Sequence, residues 1–221
     1  MTIIKDRTTW IDIVHPTRAD VEFLRSQHHF HQLILDELLQ FSNRSRVELY
    51  DDYLFMTYHV PVYNHAHRTS QRTEIDFLIT KGTVVTVRYG ELEAIDALID
   101  DLNASAARRY QALGGSTAVA TYHILQALIA FSLRQLRHIE KNIESVSSQI
   151  FRGREHRLLE HITHVKRDVL DYRLISRPQK IVLKSLVKVG AQFWGTKPKI
   201  YLDDLLGDNE KVQQYIENYL E

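Results

Sequence analysis

The first part of the chain mixes alternating runs with short helical ones, and everything after about residue 90 carries helical spacing. Thr9 to Val14 (TWIDIV) alternates and predicts a strand. His15-Pro16 breaks it, and Thr17 with Asp20 three residues on predicts a capped helix running to about Gln27. A second helix is expected from His31 to Phe41, with Leu33, Ile34, Leu35, Leu38 and Leu39 forming a wide apolar face and Ser42-Asn43 ending it. Arg46 to Tyr50 and Tyr53 to Tyr63 read as strands around a turn at Asp51-Asp52, and Pro61 places the end of the second at an edge or bulge. Asn64 to Arg72 reads as a loop. Glu74 to Thr80 and Thr83 to Tyr89 form the clearest hairpin, in which Gly82 of the Lys81-Gly82 turn supplies a positive φ.

One helix is expected from Glu91 to about Leu113, closed by Gly114-Gly115. Thr117 to Phe151 and Glu155 to Val189 predict two long helices, antiparallel across a turn at Gly153. After a loop from Gly190 to Pro198, a last helix starts near Lys199 and runs to Glu221 unless Gly207 divides it. Strands first and helices afterwards predict an α+β fold, or an α/β layer with a helical appendage.

A length of 221 residues accommodates one large domain or two small ones, and 44% apolar with 25% charged residues is ordinary for a globular protein. The formal net charge is zero, so no electrostatic footprint points to nucleic acid or an anionic membrane surface. The absence of cysteine removes disulfides, thiolate catalysis and cysteine-based zinc sites. The first ten residues hold no apolar core of signal-peptide length. From Tyr110 to Leu133 no Asp, Glu, Lys or Arg occurs, but Gly114-Gly115 and scattered polar residues predict a buried helix rather than a span.

Twelve histidines are present. His161 and His164 share a helix face, while His156 falls well around the helix from it. Without a cysteine or an acid completing the set, a zinc site there is disfavoured. His28, His29 and His31 are expected to cap or bond locally, and His65 and His67 to be solvated. Tyr50, Tyr53, Phe55, Tyr58 and Tyr63 are expected in the core or in cross-strand pairs. No H-E-x-x-H motif or Gly-rich phosphate loop supports a hydrolase or nucleotide enzyme.

Several motifs together carry a family resemblance. They are Trp10-Ile11-Asp12-Ile13 with Pro16-Thr17; His31-Gln32-Leu33 with Asp36-Glu37; and Arg44-Ser45-Arg46-Val47-Glu48 with Tyr50-Asp51-Asp52-Tyr53-Leu54-Phe55. Downstream come Glu74 to Ile79, Val84 to Val87, Arg167-Asp168-Val169-Leu170 and Arg177-Pro178-Gln179. In order and rough spacing the chain resembles the cytosolic domain of the CorA family of divalent-cation transporters. The resemblance implies an α/β/α sandwich with a mixed sheet in the N-terminal half, long antiparallel helices and the start of a stalk helix. It implies one domain made of an α/β part (1–113), a long helix pair (114–198) and the beginning of the stalk (199–221), cut before the membrane spans. It further implies no catalysis, a homo-pentamer in the full-length protein, a cytoplasmic location beneath an inner or plasma membrane, and no cofactor for folding. By the same resemblance, a regulatory divalent cation, Mg²⁺ or Co²⁺ in type, bridges Asp36 and Glu37 of one subunit and Asp203 and Asp204 of the next. Gln126 stands where relatives often carry another acid. A zinc-transporting branch with the same fold, and a stand-alone oligomeric scaffold, are the alternative readings.

Overall fold

The computed structural model describes residues 1–42, 44–149 and 155–220. Six strands, β1 (Thr2–Lys5), β2 (Thr9–Val14), β3 (Arg46–Leu49), β4 (Leu54–Asn64), β5 (Thr69–Ile79) and β6 (Thr83–Arg88), form one sheet in the order β1-β2-β6-β5-β4-β3. Only β2 and β6 pair in parallel, so the sheet is mixed. The helices are α1 (Arg18–Gln27), α2 (Gln32–Glu37), α3 (Glu93–Ala104), α4 (Ala106–Leu113), α5 (Thr117–Gln149), α6 (Glu155–Trp194) and α7 (Lys199–Leu220).

Period-two alternation gives each strand two apolar sets and the sheet two covered faces. Ile11, Ile13, Phe55, Leu78, Val85 and Val87 meet Val21 and Leu24 of α1 and Ile34 and Leu35 of α2. Trp10, Leu54, Met56, Tyr58, Phe77 and Val84 point the other way, into a larger core built with α3, α5, α6 and α7. The result is three layers, helix, sheet and helix. Each fully buried large apolar side chain contributes on the order of 1.5–3 kcal/mol.

Several elements match their expected bounds. β2 and α1 do so, and Thr17 and Asp20 form a reciprocal capping box. The Asp51-Asp52 turn closes with Tyr50 N–H donating to the Tyr53 carbonyl at 2.9 Å. Pro61 costs no ladder bond on its outer side, because β3 pairs only with Leu54 to Thr57.

Other expectations need correction. α2 ends at Glu37, not Phe41, since Leu33 and Leu39 are exposed and only Ile34, Leu35 and Leu38 reach the core. The expected loop of nine residues shrinks to four, because β4 and β5 stay paired out to Asn64 and Thr69. Gly82 does not adopt positive φ; instead Thr80 Oγ1 accepts from the backbone N–H of Gly82 and Thr83 and closes the turn. The helix expected over Glu91 to Leu113 is two, divided at Ser105, whose side chain caps α4 by accepting from Arg108 N–H. α6 continues five residues past Val189 and contains Pro178, and Gly195 takes φ 85° just beyond its end. Gly207 does not divide α7. The expected turn at Gly153 lies outside the described residues, as do Asn43, Phe151 and Glu221.

α6 and α7 run antiparallel, as the ion pairs Arg173–Glu217 at 3.5 Å and Lys180–Glu210 at 3.0 Å require. Among the described residues no single helix is long and apolar enough to cross a membrane. α4 and α5 pass that test only as a pair bent by 113°.

Candidate cation site and its supporting polar cluster

The four acids singled out from the sequence fall on opposite sides of the sandwich. Asp36 and Glu37 sit on α2, whose apolar residues pack under one face of the sheet. Asp203 and Asp204 sit in the first turns of α7, whose Leu202 and Leu205 pack under the other. All four are exposed, and the two pairs do not meet within one chain. Each acid already has a partner. Gln32 Nε2 donates to Asp36 Oδ1 at 2.8 Å, and Arg46 Nη2 pairs with Glu37 Oε2. Lys199 Nζ pairs with Asp203 at 2.5 Å, and Tyr122 O–H donates to Asp204 Oδ2 at 2.8 Å.

The last contact extends into α5. Gln126 Nε2 donates to the Tyr122 hydroxyl at 2.8 Å, so Gln126 holds the tyrosine that holds Asp204. Desolvation, then the bond to Asp204, pushes the Tyr122 hydroxyl up to about 12. It therefore stays a donor at any cellular pH.

No group of three His, Cys, Asp or Glu side chains that could hold a metal occurs among the described residues. The four carboxylates are hard oxygen donors, suited to a cation that keeps most of its water and takes one or two protein ligands from each surface. They do not suit a preformed metal cage within one chain.

Beneath the segment that follows α2 lies a polar cluster that sequence reasoning missed. His59 on β4, and Glu74 and Asp76 on β5, are at most 3% exposed. Ser42 N–H donates to both Glu74 oxygens at 2.9 Å. His59 Nε2 lies 2.9 Å from Glu74 Oε2 and from the Ser42 carbonyl; both are acceptors, so this nitrogen carries a hydrogen. His59 Nδ1 lies 2.7 Å from Ser45 Oγ. The order Ser45–His59–Glu74 has the outline of a nucleophile–base–acid set. Its role here is structural: His59 and Glu74 are shut inside, and both bind the backbone of the same covering segment.

Asp76 accepts from Thr57 Oγ1 at 2.7 Å and from the Tyr89 hydroxyl at 2.8 Å. Burial, with Glu74 as the next contributor, pushes its carboxyl up to about 7. The signal for this cluster was in the sequence. Thr57 and His59 share the parity of Phe55, and Glu74 and Asp76 share that of Leu78, so polar residues occupied inward positions.

A second buried charge group ties the sheet to α3. Arg88 Nε donates to Asp12 Oδ2 at 3.0 Å, Thr86 Oγ1 donates to Asp12 Oδ1 at 2.6 Å, and Arg88 also pairs with Asp96.

The histidines behave locally. His31 caps α2 by accepting from Leu33 N–H, His28 stacks against Phe30, and His65 and His67 are exposed. His161 and His164 line a small cavity with Asp168, and the His156 side chain lies outside the described ones. Of the aromatics expected in the core or in cross-strand pairs, Tyr53, Phe55 and Tyr58 are in the core; Tyr50 stacks on Tyr53 at 4.6 Å, and Tyr63 is half-buried.

Comparison with known proteins agrees with this architecture. The chain is 21% identical over 183 residues to the cobalt/magnesium transport protein CorA of Thermotoga maritima, covering 81% of this chain and 51% of that protein. The chain spans about half to two thirds of the length of the curated relatives it matches. The soluble domain of CorA from Methanocaldococcus jannaschii has the same fold, with a TM-score of 0.81 at 19% identity over 96% of this chain and 83% of that one. So does the ZntB cytoplasmic domain from Vibrio parahaemolyticus, with a TM-score of 0.75 at 16% identity over 98% and 83%. The family described as CorA-like Mg²⁺ transporter protein matches residues 5–221, and the chain belongs to that family, one of ion transporters rather than enzymes.

Proposed function

We propose that this chain is the cytosolic regulatory part of a divalent-cation transporter of the Mg²⁺/Co²⁺ type, which senses intracellular cation between subunits and thereby controls the pore. The placement of the acids carries the reading. Asp36 and Glu37 lie on one side of the sandwich and Asp203 and Asp204 on the other, all at the surface. One copy cannot close a site from them, whereas a ring of copies, a homo-pentamer by analogy with the family, presents one pair to the other at every junction. Facing carboxylates repel one another, and a cation between them turns that repulsion into a bridge. A bridged junction favours the closed ring only to the extent that the cation binds it better than the open one. Each junction is expected to supply about 1–3 kcal/mol of coupling.

The test is transport by the full-length protein. The double variant Glu37→Ala, Asp204→Ala should carry flux at cytosolic cation concentrations that silence the parent. Unchanged inhibition, with expression and folding matched, removes these acids from control of the pore.

A zinc-transporting relative is the alternative cargo reading. Flux measured with Mg²⁺, Co²⁺ and Zn²⁺ in turn separates the two.

A further inference from the structure

Arg46 is placed unlike any other cation near the four acids. Its side chain is 12% exposed, packed with its guanidinium carbon 4.8 Å over the Phe55 ring, whereas its partner Glu37 is 48% exposed on the rim of an open cleft of about 510 Å³. The arginine is therefore the sheltered member of the pair and the carboxylate the accessible one. Its Nε lies 3.3 Å from Glu48 Oε1 yet makes no hydrogen bond, leaving a buried donor unused. Arg46, Thr57 and Asp76 are register partners across β3, β4 and β5, so one row across the sheet leads from the guanidinium to a buried carboxylate. A guanidinium that loses Glu37 still has Glu48 as an anionic neighbour.

We propose that Arg46 is a tethered competitor for the divalent cation: it occupies the Glu37 carboxylate when no metal is bound and withdraws toward Glu48 when metal takes its place. This rests on the reading that Glu37 is a cation ligand. A charge held beside that carboxylate by the protein itself sets a threshold, because metal must displace it before binding. The competitor is always present and does not depend on cell conditions, so it lowers affinity by a fixed factor. Lys199, the other cation pairing with a proposed ligand, is more than half exposed and lacks such a mount.

The experiment is titration of the assembled full-length protein with Mn²⁺, followed by electron paramagnetic resonance of the free ion, for the parent and for Arg46→Gln, Arg46→Lys and Glu37→Gln. A partly exposed ion pair is worth up to about 1 kcal/mol, so Arg46→Gln should bind about two- to fivefold more tightly than the parent. Arg46→Lys should lie between the two. Should Arg46→Gln fail to fold, the parent alone decides through its arginine Nε–H resonance, which should shift as Mg²⁺ is added. Tighter binding by Arg46→Gln, or that resonance shift, supports the inference. Weaker binding by Glu37→Gln with no gain from Arg46→Gln overturns it and leaves Glu37 a ligand. Binding unaffected by either change overturns both it and the ligand role of Glu37.

Discussion

Replacing Asp76 by asparagine should make the fold more stable in mild alkali, with a gain that shrinks steadily as pH falls toward about 4. Asp76 is 3% exposed, with Glu74 two residues away on the same strand face, and its carboxyl is pushed up to about 7 from the ordinary 3.8. Between those two values the native state holds a proton that the unfolded chain has released. Stability therefore falls as pH rises through that window, and the contribution from this group is complete only below about pH 4. A displacement of about three pH units corresponds to about 4 kcal/mol. Relaxation around Arg46, Thr57 and Tyr89 lowers the working figure to about 2–4 kcal/mol. An amide keeps the hydrogen bonds, accepting from Thr57 and donating to the Tyr89 oxygen, and it has no charge to lose. The assay is urea unfolding at a series of pH values from about 5 to 8.5, followed by tryptophan fluorescence; Trp10, 1% exposed, is the buried reporter. The quantity of interest is the parent-minus-variant difference, in which titrating groups remote from Asp76 cancel. A difference that stays flat with pH would refute the reasoning about Asp76.

Asp12→Ala should cost about 3 kcal/mol or more, because it leaves the Arg88 guanidinium, 3% exposed, with Asp96 alone; a loss below about 1 kcal/mol in urea titration would contradict this. Thr17→Ala should cost about 0.5–2 kcal/mol by removing one half of the α1 capping box, and the same titration measures it. Gly190→Ala should destabilise by about 1–3 kcal/mol, since its new Cβ falls 2.9 Å from Leu202 Cδ1 and from the Trp194 ring where α6 approaches α7; a melting temperature equal to the parent's would count against that approach. Removing divalent cations with a chelator should leave the far-ultraviolet circular dichroism unchanged, because Asp36, Glu37, Asp203 and Asp204 are all surface residues outside both cores. A cooperative loss of helix would reveal a structural metal.

The parts of the fold legible in the sequence are those where one local rule and the burial pattern agree. Thr17 and Asp20 announced α1 because a capping box is a local interaction, and TWIDIV announced β2 through its alternation. The misses occur where tertiary context overrode the pattern. Leu33 and Leu39 looked like core residues and are exposed, so α2 is shorter than its leucines implied. Ser105 read as an ordinary helix residue, although its hydroxyl caps a new helix. β1 has one buried residue in four and only one neighbour, so its alternation carried no signal. The acids of the candidate site were legible through motif order alone. Their partners were not: Arg46 reaches Glu37 across nine residues, and Tyr122 reaches Asp204 across 82.

The burial of α7 has a mechanical consequence. Leu205, Asn209, Val212 and Ile216 recur on one face and are fully enclosed, and the Asn209 amide donates to Gln179, which in turn donates to the His59 carbonyl on β4. Tension or torque applied along α7 is thus handed straight to α6 and to the middle of the sheet. The helix is keyed into the body like a shaft into a wheel, and it has no slack in which to rotate alone. A displacement imposed at its C-terminal end turns the whole sandwich, so the compliant joints of any assembly built from this chain lie between copies.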